Sequence, residues 1–202
     1  MFTIVIYIVN IVYREGFVPE EVDHTLLTAL QVFFRYGYRK TSLDDIAQAA
    51  GVSRQTLYQR YTNKEKLFVA AVEVKLKKSL MDCAEIADAD THNVETQLLK
   101  MFDVWCGPYL DLLELSPHAS EIMSVSNELV GDCCEENQAK ILVLVDAVLK
   151  KHNVPRIKDK SVTSQNIAET LGYLGKGIFH QCDNRKDFNA KMTMALSVIC
   201  KI

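Results

Sequence analysis

The chain of 202 residues lacks most of the signals that announce catalysis. It has no Gly-x-Ser-x-Gly nucleophile turn, no Gly-x-x-x-x-Gly-Lys phosphate loop and no His-Glu-x-x-His zinc helix. Its six cysteines, Cys83, Cys106, Cys133, Cys134, Cys182 and Cys200, form no Cys-x-x-Cys pair and match no zinc spacing. No cationic neighbour in the sequence favours a thiolate, so they read as reduced thiols acting as small buried hydrophobes. His180, Cys182 and Asp183 come nearest to a ligand set, but they lie too close along one helix end to converge on a metal. No enzymatic activity, cofactor or metal is expected.

Charge is missing from the first thirteen residues, MFTIVIYIVNIVY. The segment has no basic leader and no small-residue cleavage site, which argues against a signal peptide. It is also shorter than the roughly 20 residues a membrane-spanning helix needs. Its β-branched content favours an extended conformation. No other stretch is apolar enough to cross a bilayer, so a cytoplasmic protein with no membrane partner is expected. Proline (four) and glycine (eight) are scarce enough that each marks a specific place in the chain.

What is present is apolar, helical and unevenly charged. Hydrophobic residues make up 49% of the chain and the net charge is only -3, a composition that supports a packed core and argues against disorder. Residues 14–80 carry eleven basic against eight acidic side chains, and residues 81–202 carry twelve against eighteen. Arg35, Arg39, Lys40, Arg54, Arg60, Lys64 and Lys66 crowd together, opposed there only by Asp44, Asp45 and Glu65. A basic head on an acidic body suits a protein that grips phosphate at one end.

Apolar residues recur at helical spacing throughout. A first helix opens at Pro19-Glu20-Glu21, carries Leu26, Leu30, Phe33 and Phe34, and stops at Gly37. Thr41 is placed to cap the second, with Asp44 three positions on. Gly51 breaks it, Ser53 caps a third running to about Tyr61, and Asn63 caps a long fourth. A stripe of Val94, Leu98, Met101, Phe102 and Trp105 follows, interrupted by Gly107-Pro108. Further helices are expected through Leu115, from Pro117 to Val130, over 135–151, over 165–181 and over 187–201. With no convincing strand pair and no repeat, the class is all-α, with about nine helices. The domains expected are 14–66 and 67–202, preceded by the apolar extension 1–13.

The segment Thr41–Lys66, TSLDDIAQAAGVSRQTLYQRYTNKEK, reads helix, tight glycine turn, helix. Small Ala47 and Ala50 permit close approach, while Val52 and Leu57 lock the second helix onto the first. Arg54, Gln55, Thr56, Tyr58 and Gln59 are left on its exposed face. Arginine suits guanine and glutamine suits adenine in the major groove, and in helix-turn-helix proteins the start of the second helix does this reading. Thr41 and Ser42 at a helix N-terminus, Lys64 at another, and the hydroxyls of Tyr58 and Tyr61 are candidate phosphate contacts. A bare αα corner with a solvated basic face is the competing reading. A helical protein–protein adaptor is a second.

This run, with the preceding A-L-Q-V-F-F-R-Y-G-Y-R-K, resembles the N-terminal signature of the TetR family of bacterial regulators over about residues 23–80. The resemblance implies an all-α homodimeric repressor. It would bind operator DNA through its N-terminal domain and be released by a small-molecule inducer held in a larger C-terminal domain. Thr41, Ser42, Ser53, Gln55, Thr56, Tyr58, Tyr61 and Lys64 fall where members touch the operator. The uncharged N-terminus departs from the basic arm that many members carry. On the same resemblance, the last two helices would form the dimer surface, with Leu171, Leu174, Gly175, Ile178, Phe179 and Leu196 as candidates. Met192, Met194 and Ile199 would add apolar bulk, and Gly172 and Gly175 would allow close approach. Phe102, Trp105, Tyr109, Met123 and Val145 are candidate ligand-lining residues, to which His118 and Asp146 would add polarity. The same apolar periodicity also serves a plain intramolecular core.

Overall fold

A computed structural model describes residues 24–91, 93–155 and 161–201. The expected helix start at Pro19 and the apolar segment 1–13 lie outside the described residues. Eight helices and no strand occur among the described residues: α1 (His24–Tyr36), α2 (Leu43–Ala50), α3 (Arg54–Arg60), α4 (Lys64–Asp88), α5 (Val94–Leu115), α6 (Ala119–Lys151), α7 (Ser164–Gln181) and α8 (Arg185–Ile199). The all-α class therefore stands, with eight of the about nine expected helices among the described residues. None of these helices is long and apolar enough to cross a membrane.

Two expected breaks turn out to be helix interior. Pro108 sits inside α5. Proline removes one backbone donor and crowds the residue before it, but that residue is Gly107, which has no Cβ to clash. Leu98, Met101, Phe102, Cys106 and Leu110 are buried on both sides of the break, so a continuous apolar stripe holds the helix together. The expected helices ending at Val130 and starting at 135 are likewise one, α6, with Gly131 in its interior. Nothing lies within 4 Å of where a Gly131 side chain would begin. Its helical conformation follows from buried Ile122, Val130, Ile141 and Leu144 on the same helix.

The chain divides into two compact units. Among the described residues, the head comprises 24–78 and Leu112–Glu135, and the body comprises Ser79–Asp111 and 136–201. The division read from the sequence, after residue 66, falls elsewhere because the first turns of α4 belong to the head core. Leu67, Phe68, Ala71, Val72 and Leu76 pack there with Phe33, Ile46, Leu57, Ile122 and Val130. Phe33, Tyr38 and Phe68 form an aromatic cluster, with ring centroids 5.2–5.4 Å apart.

The body is tied together by polar contacts between residues distant in sequence. Arg185 donates from Nε and Nη2 to the two carboxylate oxygens of Asp103 (2.7 and 2.6 Å) and from Nη1 to Asp111 (2.7 Å). Asn189 donates to Asp103 as well, at 2.7 Å. Gly107 lies between the two aspartates, one helical turn from each. A Cβ at Gly107 would come within 2.7 Å of the guanidinium carbon, so the fork crosses α5 at its one bare position. Gln97, 1% exposed, donates to the carbonyls of Ile86, Ala87 and Ala89 and closes the C-terminus of α4. Its own oxygen pairs with His152 Nε2 at 2.9 Å. Burial pushes the Cys83 thiol up to about 12 and raises that of Cys106 too, as inert packing residues require.

Candidate nucleic-acid interface

The candidate interface is built by caps. Ser42, in extended backbone, caps α2: its Oγ accepts from Asp45 N (3.2 Å), while its own N–H donates to Asp45 Oδ2 (2.8 Å). This reciprocal pair is a capping box and corrects the expected Thr41–Asp44 arrangement by one residue. Thr41 instead is buried, 3% exposed, and donates to the carbonyl of Gly37 at 2.7 Å. Its hydroxyl serves the α1–α2 turn and leaves the cap position to Ser42. The hydrogen bonds from Ser42 hold the Asp45 carboxyl below its ordinary range.

Gly51 closes α2 in the left-handed region, at φ 69°. A residue bearing a Cβ is strained in that conformation. The turn brings Val52 N onto Ala47 O at 3.0 Å and delivers Ser53, whose Oγ accepts from Thr56 N at 3.0 Å and caps α3. Asn63 then caps α4, accepting from Lys66 N at 2.8 Å. The caps expected at Ser53 and Asn63 and the stops at Gly37 and Gly51 are all present.

Of the seven residues of α3, only Leu57 is buried, at 1% exposure. It anchors the helix to the head core, and Arg54, Gln55, Thr56, Tyr58, Gln59 and Arg60 all remain exposed. Several of these side chains already have local partners. The Thr56 hydroxyl pairs with that of Ser53 at 2.7 Å. Arg54 Nη2 pairs with Asp44 Oδ2 on α2. Tyr61 is half-buried at the end of α3 and packs against the head core.

Lys64 is placed differently from a simple surface cation. Its ammonium donates to the carbonyls of Tyr38 (2.8 Å) and Arg39 (3.2 Å) and lies 4.6 Å above the Tyr38 ring. Two of its three donors thus brace the α1–α2 turn. Two residues that sequence reasoning missed brace the same turn. Glu121 accepts from Arg39 N at 2.7 Å, and Ser116 Oγ donates to Phe34 O at 2.5 Å. Both contacts span 82 positions, so no local signal marks them. His118, a candidate for ligand polarity, lies in the head beside Glu121, with Nδ1 3.9 Å from the carboxylate.

The remaining candidates scatter. Phe102 and Val145 are buried in the body, and Trp105 and Tyr109 are half-buried there; Met123 belongs to the head. The Phe102 and Trp105 rings stand 5.7 Å apart. Asp146 is satisfied by Ser164 and Lys150, both at 2.6 Å. Among the candidate dimer residues, Leu171, Gly175 and Leu196 are buried within the body itself. A Cβ on Gly175 would meet the Phe102 ring at 2.8 Å, and one on Gly172 would meet Leu142 at 2.9 Å. These two glycines therefore admit neighbours from the same chain. Leu174, Ile178 and Phe179 stay partly accessible.

Residues 26–71 match the family model described as bacterial regulatory proteins, tetR family. The HTH-type transcriptional repressor ComR of Escherichia coli is 43% identical over 51 residues, 25% of this chain and 24% of its own length. The chain thus matches only about a quarter of this curated relative. Over nearly the whole length the likeness is one of fold. A putative TetR-family transcriptional regulator from Rhodococcus superposes with a TM-score of 0.64 at 18% identity, covering 89% of this chain and 97% of that one. The SmeT–triclosan complex superposes with a TM-score of 0.60 at 16% identity, covering 88% and 90%.

Proposed function

We infer from this chain's membership of the TetR family of bacterial regulatory proteins that it is a sequence-specific DNA-binding transcriptional regulator. The observation that carries this reading is α3: a capped helix held by one buried leucine, with six polar side chains facing out. Arg54, Gln55, Thr56 and Gln59 are assigned to base edges. Ser42, Ser53, Tyr58, Tyr61 and Lys64 are assigned to phosphates, with Thr41 supporting the turn from inside.

Repression relieved by an inducer is the regulatory mode proposed. ComR is named a repressor, and SmeT was solved with triclosan. A small, partly apolar ligand in the body, near Phe102, Trp105, Tyr109 and Val145, fits that mode. A homodimer is proposed because a two-fold reader needs two heads at matched spacing. Its surface is assigned to the exposed apolar side chains of α7 and α8, where Tyr173 is 73%, Met194 70% and Val198 63% exposed, with Leu174 at 38%.

Selection of bound fragments from genomic DNA tests the function. A recurring motif should be enriched, and its affinity should fall steeply with salt as condensed counterions are released. Binding that is absent or insensitive to salt would favour the adaptor reading. Tyr173→Lys with Met194→Lys should convert dimers to monomers on a sizing column. Persistence of dimers would remove this surface from the interface.

A further inference from the structure

The pair Arg54–Asp44 joins the first residue of the recognition helix to the helix behind it. Both side chains are accessible, with relative exposures of 69% and 35%, so burial does not force them together. Of the two acids at the start of α2, Asp45 is committed to the capping box with Ser42. Asp44 has no cap to make. Its Oδ2 receives the Arg54 amino group, and its Oδ1 is buried and accepts no hydrogen bond among the described residues. The carboxylate is therefore seated against the protein and presents its occupied edge to arginine alone.

We propose that Asp44 is a positioning residue for sequence readout: it fixes the Arg54 guanidinium so that the rest of the fork meets one base edge. This rests on the DNA-binding reading above. An unbraced arginine on a surface helix samples many rotamers and pairs with any phosphate within reach. Binding one amino group to Asp44 restricts the fork to a plane and leaves the other N–H groups for the two acceptors of a guanine. The carboxylate also stands as a negative charge among cations, so it repels the backbone wherever Arg54 finds no correct base. Asp44 thus raises discrimination at the expense of general affinity.

The test is selection from a random duplex library, with affinity also measured on an unrelated duplex, for the full chain and for Asp44→Asn, Asp44→Glu, Arg54→Ala and the double variant Asp44→Asn/Arg54→Ala. The wild-type chain should enrich a motif with a strong preference at one pair per half-site. Asp44→Asn should cut discrimination at that pair by about fivefold to tenfold and tighten binding to the unrelated duplex by about threefold. Asp44→Glu, which keeps a carboxylate, should preserve the preferred base. It also keeps the question answerable if the asparagine variant folds poorly. In the Arg54→Ala background, Asp44→Asn should change the motif no further. An unchanged motif in Asp44→Asn, or an equal change with and without Arg54, would overturn the proposal. A wild-type chain that enriches no motif would sink the DNA-binding reading and this inference with it. Thermal melting of Asp44→Asn should match wild type, because exposed ion pairs contribute little to stability.

Discussion

Head and body hold their helices by different means. In the head, α2 and α3 are eight and seven residues long, too short to persist alone. They survive because each terminus is closed by a residue within a few positions: Ser42 with Asp45, Gly51 with Ala47 and Gln48, Ser53 with Thr56. In the body α7 and α8 are capped locally too, by Thr163 and Asn184, but contacts across long distances in sequence add to this, as Arg185 makes to Asp103 and Asp111, and Gln97 to His152. Local closure leaves the exposed side of a helix unburdened. Long-range closure fixes side chains on several helices at once. A surface that must meet another molecule is better served by the first arrangement.

The largest effect that would break this comparison is expected in the head core. Phe68 is fully buried and stacks edge-on with Phe33 and Tyr38, so Phe68→Ala should cost about 3–5 kcal/mol. Urea unfolding with a probe in each unit would show whether the loss stays in the head or reaches the body. A body that melts unchanged would sharpen the distinction.

Next in size is the body's own clasp. Gln97→Ala would remove the side-chain donor shared by the carbonyls of Ile86, Ala87 and Ala89, of which Ala89 keeps Lys151 Nζ at 2.8 Å, and the bond to His152 Nε2, costing about 1–3 kcal/mol. Hydrogen exchange should rise at the last turn of α4 while α3 stays protected as before. Unchanged exchange there would mean that Gln97 does not close that helix.

Much of the head was legible because its instructions are local. Ser53, Asn63, Gly37 and Gly51 each stand within four residues of the groups they satisfy, and sequence reading found them. It erred by one residue at Thr41, where two adjacent hydroxyls compete for the same cap. The competition was decided by Gly37 O, which needed a buried donor. The body was legible only as periodicity. Gly172 and Gly175 looked like contact points for a second chain, yet Leu142 and Phe102 fill those spaces from within. Glu121 and Ser116 were invisible, since nothing around them in sequence mentions the turn at Gly37.

A smaller effect should separate local closure from the rest. Ser53→Ala removes the cap of α3 and should cost about 1 kcal/mol. Faster amide exchange confined to 54–60, with weaker DNA binding and an unaltered body, is the expected pattern. Loss of structure in both units would show that α3 is not closed locally.

The smallest effect is one of acidity. Arg185 first, then Asn189, hold the Asp103 carboxyl below its ordinary range against the opposing pull of burial. A carboxyl lowered in the folded state contributes stability above its unfolded value and loses it as pH falls through the folded one. Acid titration of unfolding should therefore show a loss that Arg185→Gln reduces, Asn189 keeping its own bond to Asp103. An identical acid limb in that variant would separate Asp103 from the pH response.

The three long helices carry a consequence for anyone who would exchange parts. Among the described residues the units divide between Lys78 and Ser79, between Asp111 and Leu112, and between Glu135 and Glu136, and these three crossings fall inside helices. A chimera that joins this head to another body cannot be spliced at loops in these places. It needs at least these three junctions at once, each keeping the helical phase of the chain on both sides. One inserted residue at any junction would turn everything downstream by about 100°, so the practical unit of exchange is the whole chain.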